Sequence, residues 1–284
     1  MVGETVRKGR ICTRFAPSPT GLLHLGHAYS ALVAAEAASP GEFLLRIEDI
    51  DRDRCRPEFE TAIFEDLSWL GLGWQQPVMR QSERLDIYGA ALDRLAGLGV
   101  AYPCSCRRGD IRMALSAPQE GVPVHGPDGL VYPGICRGRR MCDMRDGDVI
   151  RLDARAGFDL LDIDRLSFRD NGLHDLTRNA FLTGIGDVIL SRRGMRTSYH
   201  LSVVLDDAVQ EISLVTRGQD LFASTWIHVL LQRLLDVPTP EYCHHRLIRD
   251  ETGKRLAKRD DARSLRELRR QGVGKDEIRN LIGL

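Results

Sequence analysis

The chain has 284 residues, 43% hydrophobic and 28% charged, enough for one large domain or two modest ones and unlike a disordered or fibrous chain. Its 40 basic residues balance 40 acidic ones, so net charge does not advertise a polyanionic partner, and no run is apolar for long enough to span a bilayer. Seven cysteines, an odd number, follow a polar N-terminus without the apolar core of an export signal, which argues against a disulfide framework and for a cytoplasmic location.

Ile11 to Phe15 alternates like a strand, and the Ala-rich run Ala28 to Ala38 reads as a helix. Prolines and Gly21 turn the chain between them. Ser39-Pro40-Gly41 stops the helix, Phe43 to Ile47 reads as a second strand, and acidic Glu48-Asp49-Ile50-Asp51 follows. Pro57 opens a helix with apolar positions at Phe59, Ile63, Leu67 and Leu70. Ser82 is placed to cap another, with Leu85, Tyr88, Leu92 and Leu95 on one face. Strands alternating with helices point to an α/β fold with a parallel sheet. From about Val100 to Arg193 this rhythm is lost and Pro, Gly, Arg and Cys rise, as in an inserted lobe. Tyr199 to Leu205 and Glu211 to Val215 then read as strands and Ser224 to Leu235 as a helix. After His244, Ser264-Leu265-Arg266-Glu267 fits a capping box and Lys275 to Leu281 a helix. This last stretch carries twelve Lys or Arg against seven Asp or Glu, compatible with a phosphate-facing surface or a solvated helical one.

The most informative stretch is Arg14-Phe15-Ala16-Pro17-Ser18-Pro19-Thr20-Gly21-Leu22-Leu23-His24-Leu25-Gly26-His27. A strand turning into a helix N-terminus offers unpaired backbone N–H groups and a positive dipole end to an anion. Two imidazoles at that helix start, His24 and His27, point to a polyphosphate such as ATP. Cys104-Ser105-Cys106 and Cys136 form a second group, since three thiolates bind zinc when a fourth ligand completes a tetrahedron. By ordinary zinc chemistry His125 or Cys142 would be that fourth ligand.

The fourteen-residue stretch resembles the first motif of class I aminoacyl-tRNA synthetases, glutamyl branch. Leu45 to Asp51, Gln81-Ser82-Glu83-Arg84 with Tyr88, Ser198-Tyr199-His200-Leu201 to Asp206-Asp207-Ala208, and Arg217-Gly218-Gln219-Asp220-Leu221 with Ser224-Thr225 resemble further segments of the same branch, in the same order. Gly253-Lys254-Arg255-Leu256-Ala257-Lys258-Arg259 resembles the second class I motif, with Arg255 and Ala257 where the branch usually has lysine and serine. The resemblance implies a class I synthetase Rossmann-type parallel sheet with an inserted zinc-bearing lobe and a short helical C-terminal region. It divides the chain into two halves of a nucleotide-binding fold at 1–99 and 194–243, the inserted acceptor-type lobe at 100–193, and a basic-loop and helical region at 244–284.

It also implies roles. His24, Gly26, His27 and Lys258 bind ATP, with His24, His27 and Lys258 acting on the phosphates. Arg14, Phe15, Ala16, Pro17, Ser18, Glu48, Tyr199 and Arg217 surround glutamate. The arginines are suited to a carboxylate because guanidinium grips it in a forked geometry. ATP brings Mg²⁺, and Tyr132, in the CxC…YxxxC pattern of the short glutamyl-type paralogues, joins Cys104, Cys106 and Cys136 on a structural Zn²⁺. Only 25 residues follow Arg259, so no anticodon-binding domain is expected there. The short architecture resembles the glutamyl-queuosine tRNA(Asp) synthetase family. That resemblance implies a monomer that activates L-glutamate with ATP and transfers it to queuosine in the anticodon loop of tRNA(Asp). The alternatives are the catalytic part of an ordinary glutamyl-tRNA synthetase, charging a tRNA 3′ end, and a non-catalytic tRNA-binding paralogue.

Overall fold

The computed structural model describes residues 10–115, 125–192, 195–248 and 264–284. In chain order the strands and helices are β1 (Cys12–Phe15), α1 (Leu25–Ala38), β2 (Glu42–Ile47), α2 (Pro57–Trp69), β3 (Met79–Arg80), α3 (Leu85–Gly97), β4 (Ala101–Cys104) and α4 (Arg108–Leu115). Next come β5 (His125–Gly126), β6 (Gly129–Leu130), β7 (Val149–Leu152), α5 (Ala154–Leu161), β8 (Arg165–Arg169), β9 (Leu173–Thr177), α6 (Arg178–Gly184) and β10 (Ile189–Ser191). The last are α7 (Tyr199–Val209), β11 (Leu214–Gly218), α8 (Thr225–Leu235), β12 (Glu241–His245), α9 (Leu265–Arg270) and α10 (Lys275–Ile282). They fall into two compact units.

The first unit comprises 1–83, 211–220 and 240–284. β1, β2 and β3 pair in parallel in that order, and β11 pairs in parallel with β12. β11 flanks the other side of β1, where the Cys12 carbonyl accepts the Ser213 N–H at 3.0 Å. Parallel strands need crossovers, and α1 supplies the one from β1 to β2. Its inward face is built of Ala28, Ala31, Leu32 and Ala34, all buried, and the small residues let it lie close to the sheet. Thr13 Oγ1 donates to the Ala34 carbonyl at 2.7 Å and ties β1 to the helix. Gly41 permits the tight return into β2, since a Cβ there would stand 1.9 Å from the Ile11 carbonyl oxygen. α2 begins with Pro57 at its first position and Glu58 and Glu60 in its first turn, favourable at the positive end of a helix. Ile63 and Leu67 on α2, Leu265 on α9 and Ile278 on α10 close the core, each burial worth about 2 kcal/mol.

The second unit comprises 84–210 and 221–239. Here the strands pair antiparallel: β10, β7 and β4 form a three-stranded sheet in that order, and β5–β6 and β8–β9 are hairpins. Phe168 of β8 meets Trp226 of α8 at 4.5 Å between ring centroids, and Phe158 meets Phe181 at 5.4 Å. Asp206 on α7 is fully buried and accepts from Tyr88 Oη at 2.9 Å and Arg84 Nε at 2.8 Å, so α3 and α7 are joined through a satisfied buried carboxylate.

Three sequence expectations change. Tyr199 to Leu205 is not a strand but the start of α7, capped by Ser198, whose Oγ accepts the Leu201 N–H at 3.4 Å. His200, Leu201, Ser202, Val203 and Val204 are all buried, and a helix covered on nearly every side shows no amphipathic period to distinguish it from a strand. The strand expected at Glu211 to Val215 begins at Leu214, because Glu211 takes a left-handed turn conformation with φ 52°. Ser82 does not cap α3: it lies in a short 3₁₀ turn, and its N–H and Oγ both donate to the Asp49 carboxylate at 2.8 and 2.6 Å.

Candidate active site

The C-terminal ends of β1, β2 and β11 lie at one edge of the first unit, and the N-terminus of α1 opens there too. Ligands of open parallel sheets bind at such an edge, where successive strands depart to opposite sides. The Arg14 to Thr20 run crosses this edge: the Pro17 carbonyl accepts the Glu48 N–H at 3.0 Å and the Pro19 carbonyl accepts the Arg56 N–H at 3.0 Å. Phe15 and Pro17 are buried beneath it, while Ala16 and Ser18 are half-buried.

His24 is the N-cap of α1. Its Nδ1 accepts the Gly26 N–H at 3.1 Å, and its own N–H donates to His27 Nδ1 at 3.2 Å. The two rings lie 3.9 Å apart between centroids. An Nδ1 that accepts carries no proton, so in each neutral imidazole the proton sits on Nε2, giving two N–H donors at a helix N-terminus. This arrangement suits a polyphosphate oxygen. Gly26 leaves room for it, since a Cβ would stand 3.0 Å from His24 Cε1 and press on that ring. Ser264, which begins the segment after the basic loop, forms a β-bridge with His24, and the Leu265 N–H donates to the Leu23 carbonyl at 2.8 Å. Lys258 and the rest of the expected basic loop lie outside the described residues.

Arg14 on β1 is buried and donates through Nη1 to the Thr216 carbonyl of β11 at 3.3 Å. Glu48, just past β2, has its Oε1 3.5 Å from Nη2 of the fully buried Arg46. Arg217 near the end of β11 is buried, and its Nε donates to His244 Nε2 at 3.1 Å. A buried guanidinium pair and a carboxylate thus line the same strand edge, the combination an amino acid with a carboxylate side chain requires. Tyr199 belongs to the second unit, where its ring meets those of His200 and His228 at 5.3 and 5.7 Å.

The sequence reading missed His244 and His245. His245 Nε2 lies 3.0 Å from Ser30 Oγ of α1 and its Nδ1 is 2.9 Å from the Arg246 carbonyl, while burial lowers its pKa below the usual histidine value. A carbonyl can only accept, so Nδ1 carries the proton and Nε2 faces the serine. A histidine doublet closing the short strand that follows Pro238 and Pro240 was the available signal.

In the second unit, Cys104 at the end of β4, Cys106 and Cys136 bring their sulfurs within 4.8 Å of one another. Tyr132 Oη is 3.3 Å from both Cys104 Sγ and Cys106 Sγ, and Cys106 Sγ is 3.5 Å from Cys136 Sγ. A tetrahedron of zinc–sulfur bonds has edges of about 3.8 Å, and an oxygen vertex shortens them, so the four atoms match an S₃O ligand set. Cys142 instead lies exposed beside Asp143, and neither it nor His125 joins the group. The Arg151 guanidinium sits 3.9 Å from the Tyr132 ring centroid, and its Nε donates to Cys104 Sγ at 3.4 Å. Burial pushes the Cys106 thiol up to about 11 and raises the Tyr132 phenol as well. At Cys136 burial acts in the same sense, but hydrogen bonds from Tyr132, the Ser105 backbone and the neighbouring thiols outweigh it and bring the thiol down to about 7. All seven cysteines are outside disulfides, and no described helix is long and apolar enough to cross a membrane.

Residues 10–123 and 168–284 match the family described as tRNA synthetases class I (E and Q), catalytic domain. The chain is 52% identical over 277 residues to the glutamyl-Q tRNA(Asp) synthetase of Rhodobacter capsulatus, covering 96% of this chain and 99% of the relative. It is 39% identical to the protein of the same name from Nocardia farcinica, covering 95% and 82%. Among solved structures it resembles a glutamate tRNA ligase from Elizabethkingia meningosepticum in complex with its amino acid, with a TM-score of 0.69 at 28% identity. That match covers 89% of this chain and 52% of the ligase, so the chain spans about half the length of that structure. At 11% identity a methionyl-tRNA synthetase from Mycobacterium tuberculosis shares the fold, with a TM-score of 0.54.

Proposed function

The chain belongs to the class I tRNA synthetases of the E and Q type, alongside the glutamyl-Q tRNA(Asp) synthetases, and we propose that it activates L-glutamate with ATP and transfers it to queuosine in the anticodon of tRNA(Asp). The observation that carries this reading is the single strand edge where the His24–His27 helix start meets Arg14, Glu48 and Arg217.

In the first step a carboxylate oxygen of glutamate bonds to the α-phosphorus of ATP, and pyrophosphate leaves with the electron pair of the broken P–O bond. The nucleophile is already ionised, so positioning and charge stabilisation carry the catalysis. His24 and His27 Nε2–H groups and the α1 dipole serve the phosphates, with Lys258 of the basic loop and the Mg²⁺ that accompanies ATP. Arg14 and Arg217 take the side-chain carboxylate. Glu48 pairs with the substrate ammonium. The Phe15-to-Ser18 backbone follows the bound amino acid, and Gly26 allows ATP to approach the helix start.

In the second step a hydroxyl of the queuosine cyclopentenediol attacks the glutamyl carbonyl carbon. Its proton is lost, and AMP leaves. Recognition of the target relies on the splayed nucleotides of an anticodon loop, which proteins read by shape and stacking. Cys104, Cys106, Tyr132 and Cys136 would hold a structural Zn²⁺, whose chemistry there is to cross-link β4 to the loop around Tyr132 and Cys136.

The test compares glutamate transfer to tRNA(Asp) carrying queuosine and to the same tRNA lacking it, together with glutamate-dependent exchange of pyrophosphate into ATP. Exchange plus queuosine-dependent labelling is expected. Equal labelling of both RNAs would favour charging of a 3′ end, and absence of exchange would point to a non-catalytic paralogue.

A further inference from the structure

Resting on the assignment of Arg217 to the glutamate carboxylate, we infer that His244 is a positioning residue that holds the Arg217 guanidinium in its carboxylate-binding orientation. β11 and β12 pair in register, with Arg217 opposite His244 and Val215 opposite Tyr242. Arg217 has only 6% of its surface exposed, and its Nε donates to His244 Nε2 at 3.1 Å. Arginine is a donor only, so His244 must present a lone pair at Nε2 and carry its proton on Nδ1.

Tyr242 stands two residues earlier on the same strand, hence on the same face. Its ring lies parallel to that of His244, at 6.0 Å and 6°, and 5.2 Å from Arg217 Cζ. The hydrogen bond fixes how the guanidinium is turned about its own axis, and the tyrosine ring holds its plane. Forked binding of a carboxylate depends on both.

The choice of histidine has a chemical reason. An aspartate or glutamate in that place would orient the arginine equally well but would neutralise it and compete with the substrate carboxylate. A neutral imidazole orients the cation without adding an opposing charge of its own. Because glutamate differs from glutamine by that one charge, His244 contributes to discrimination between them through Arg217.

Pyrophosphate exchange is measured with His244→Phe, His244→Gln and Arg217→Ala, titrating glutamate and ATP separately. His244→Phe should raise KM for glutamate about tenfold, the lower end for a hydrogen bond to a charged group, with kcat and KM for ATP within about twofold. His244→Gln, whose Oε1 can accept near the position of Nε2, should restore KM for glutamate to within about threefold of the unsubstituted protein. If Arg217→Ala raises KM for glutamate and His244→Phe does not, the inference fails while the assignment of Arg217 stands. If Arg217→Ala leaves that KM unchanged, the assignment itself fails. Independently of variant folding, ¹⁵N NMR of the unsubstituted protein should show His244 protonated on Nδ1 at neutral pH, and the Nε2–H tautomer would overturn the inference.

Discussion

Replacing Asp66 by asparagine should stabilise the protein more at pH 8 than at pH 5. Asp66 lies on α2, fully buried, facing α9. Neither of its oxygens has a hydrogen-bond donor among the described residues. The closest cationic contact is Arg269 Nη1, 3.7 Å from Oδ1, and Arg266 and neighbouring Glu65 add their fields. Burial raises the carboxyl from 3.8 to about 6, with Arg269 and Arg266 opposing it and Glu65 reinforcing it. The folded state therefore holds this proton more tightly than the unfolded state. The stabilising contribution of protonation is complete below about pH 4 and is lost as the pH rises through about 6. Its full size is about 3 kcal/mol, and the part lost between pH 5 and pH 8 is about 1.4 kcal/mol. The substituted amide cannot titrate, so urea unfolding of the two proteins at both pH values should show the Asp66→Asn difference moving in favour of the variant by that amount. A difference that stays constant, or moves the other way, would mean that Arg269 outweighs burial and that the carboxylate stabilises the α2–α9 contact. The contact matters for the site because α9 carries Leu265 and follows Ser264, the pair bonded to Leu23 and His24.

Asp206→Ala leaves Tyr88 Oη and Arg84 Nε without their shared acceptor and should cost about 3 kcal/mol in urea unfolding, whereas Tyr88→Phe removes one hydrogen bond and should cost about half as much. Equal losses would contradict a buried charge pair. Cys104→Ser should abolish stoichiometric zinc in elemental analysis and lower the unfolding midpoint. Unchanged zinc would defeat the S₃O assignment. His24→Ala removes the α1 cap, at about 1 kcal/mol, and should slow pyrophosphate exchange about a hundredfold through kcat while leaving KM for glutamate within a few fold. A kcat unchanged despite the stability loss would reduce His24 to a capping role.

Much of the first unit was legible because its signals are local. Pro57 and the Ser39-Pro40-Gly41 turn announce a helix start and a helix stop. The alternation in β1 and β2 and the small-residue run of α1 each depend on a few neighbouring residues. The helix at Tyr199 was misread because burial on nearly every side erased its period, and the β-branched pair Val203-Val204 added strand character. Ser82 was misread because its capping chemistry was claimed by Asp49, 33 residues away in sequence.

By itself the sequence determined the kind of chemistry: which residues are histidine, arginine and thiol, and the order of motifs that identifies a synthetase of the glutamyl type. It also restricted the candidate metal ligands to a short set: residue chemistry left the fourth vertex open between His125 and Cys142, and the family resemblance offered Tyr132. Only the tertiary structure brought the phenol of Tyr132 to 3.3 Å from two sulfurs while Cys142 stayed on the surface. Likewise it alone set His244 against Arg217, 27 residues apart, by pairing two parallel strands in one register. Identity and spacing are properties of the chain, but a ligand distance or a hydrogen bond between distant residues exists only once the packing of strands and loops has fixed where those atoms meet.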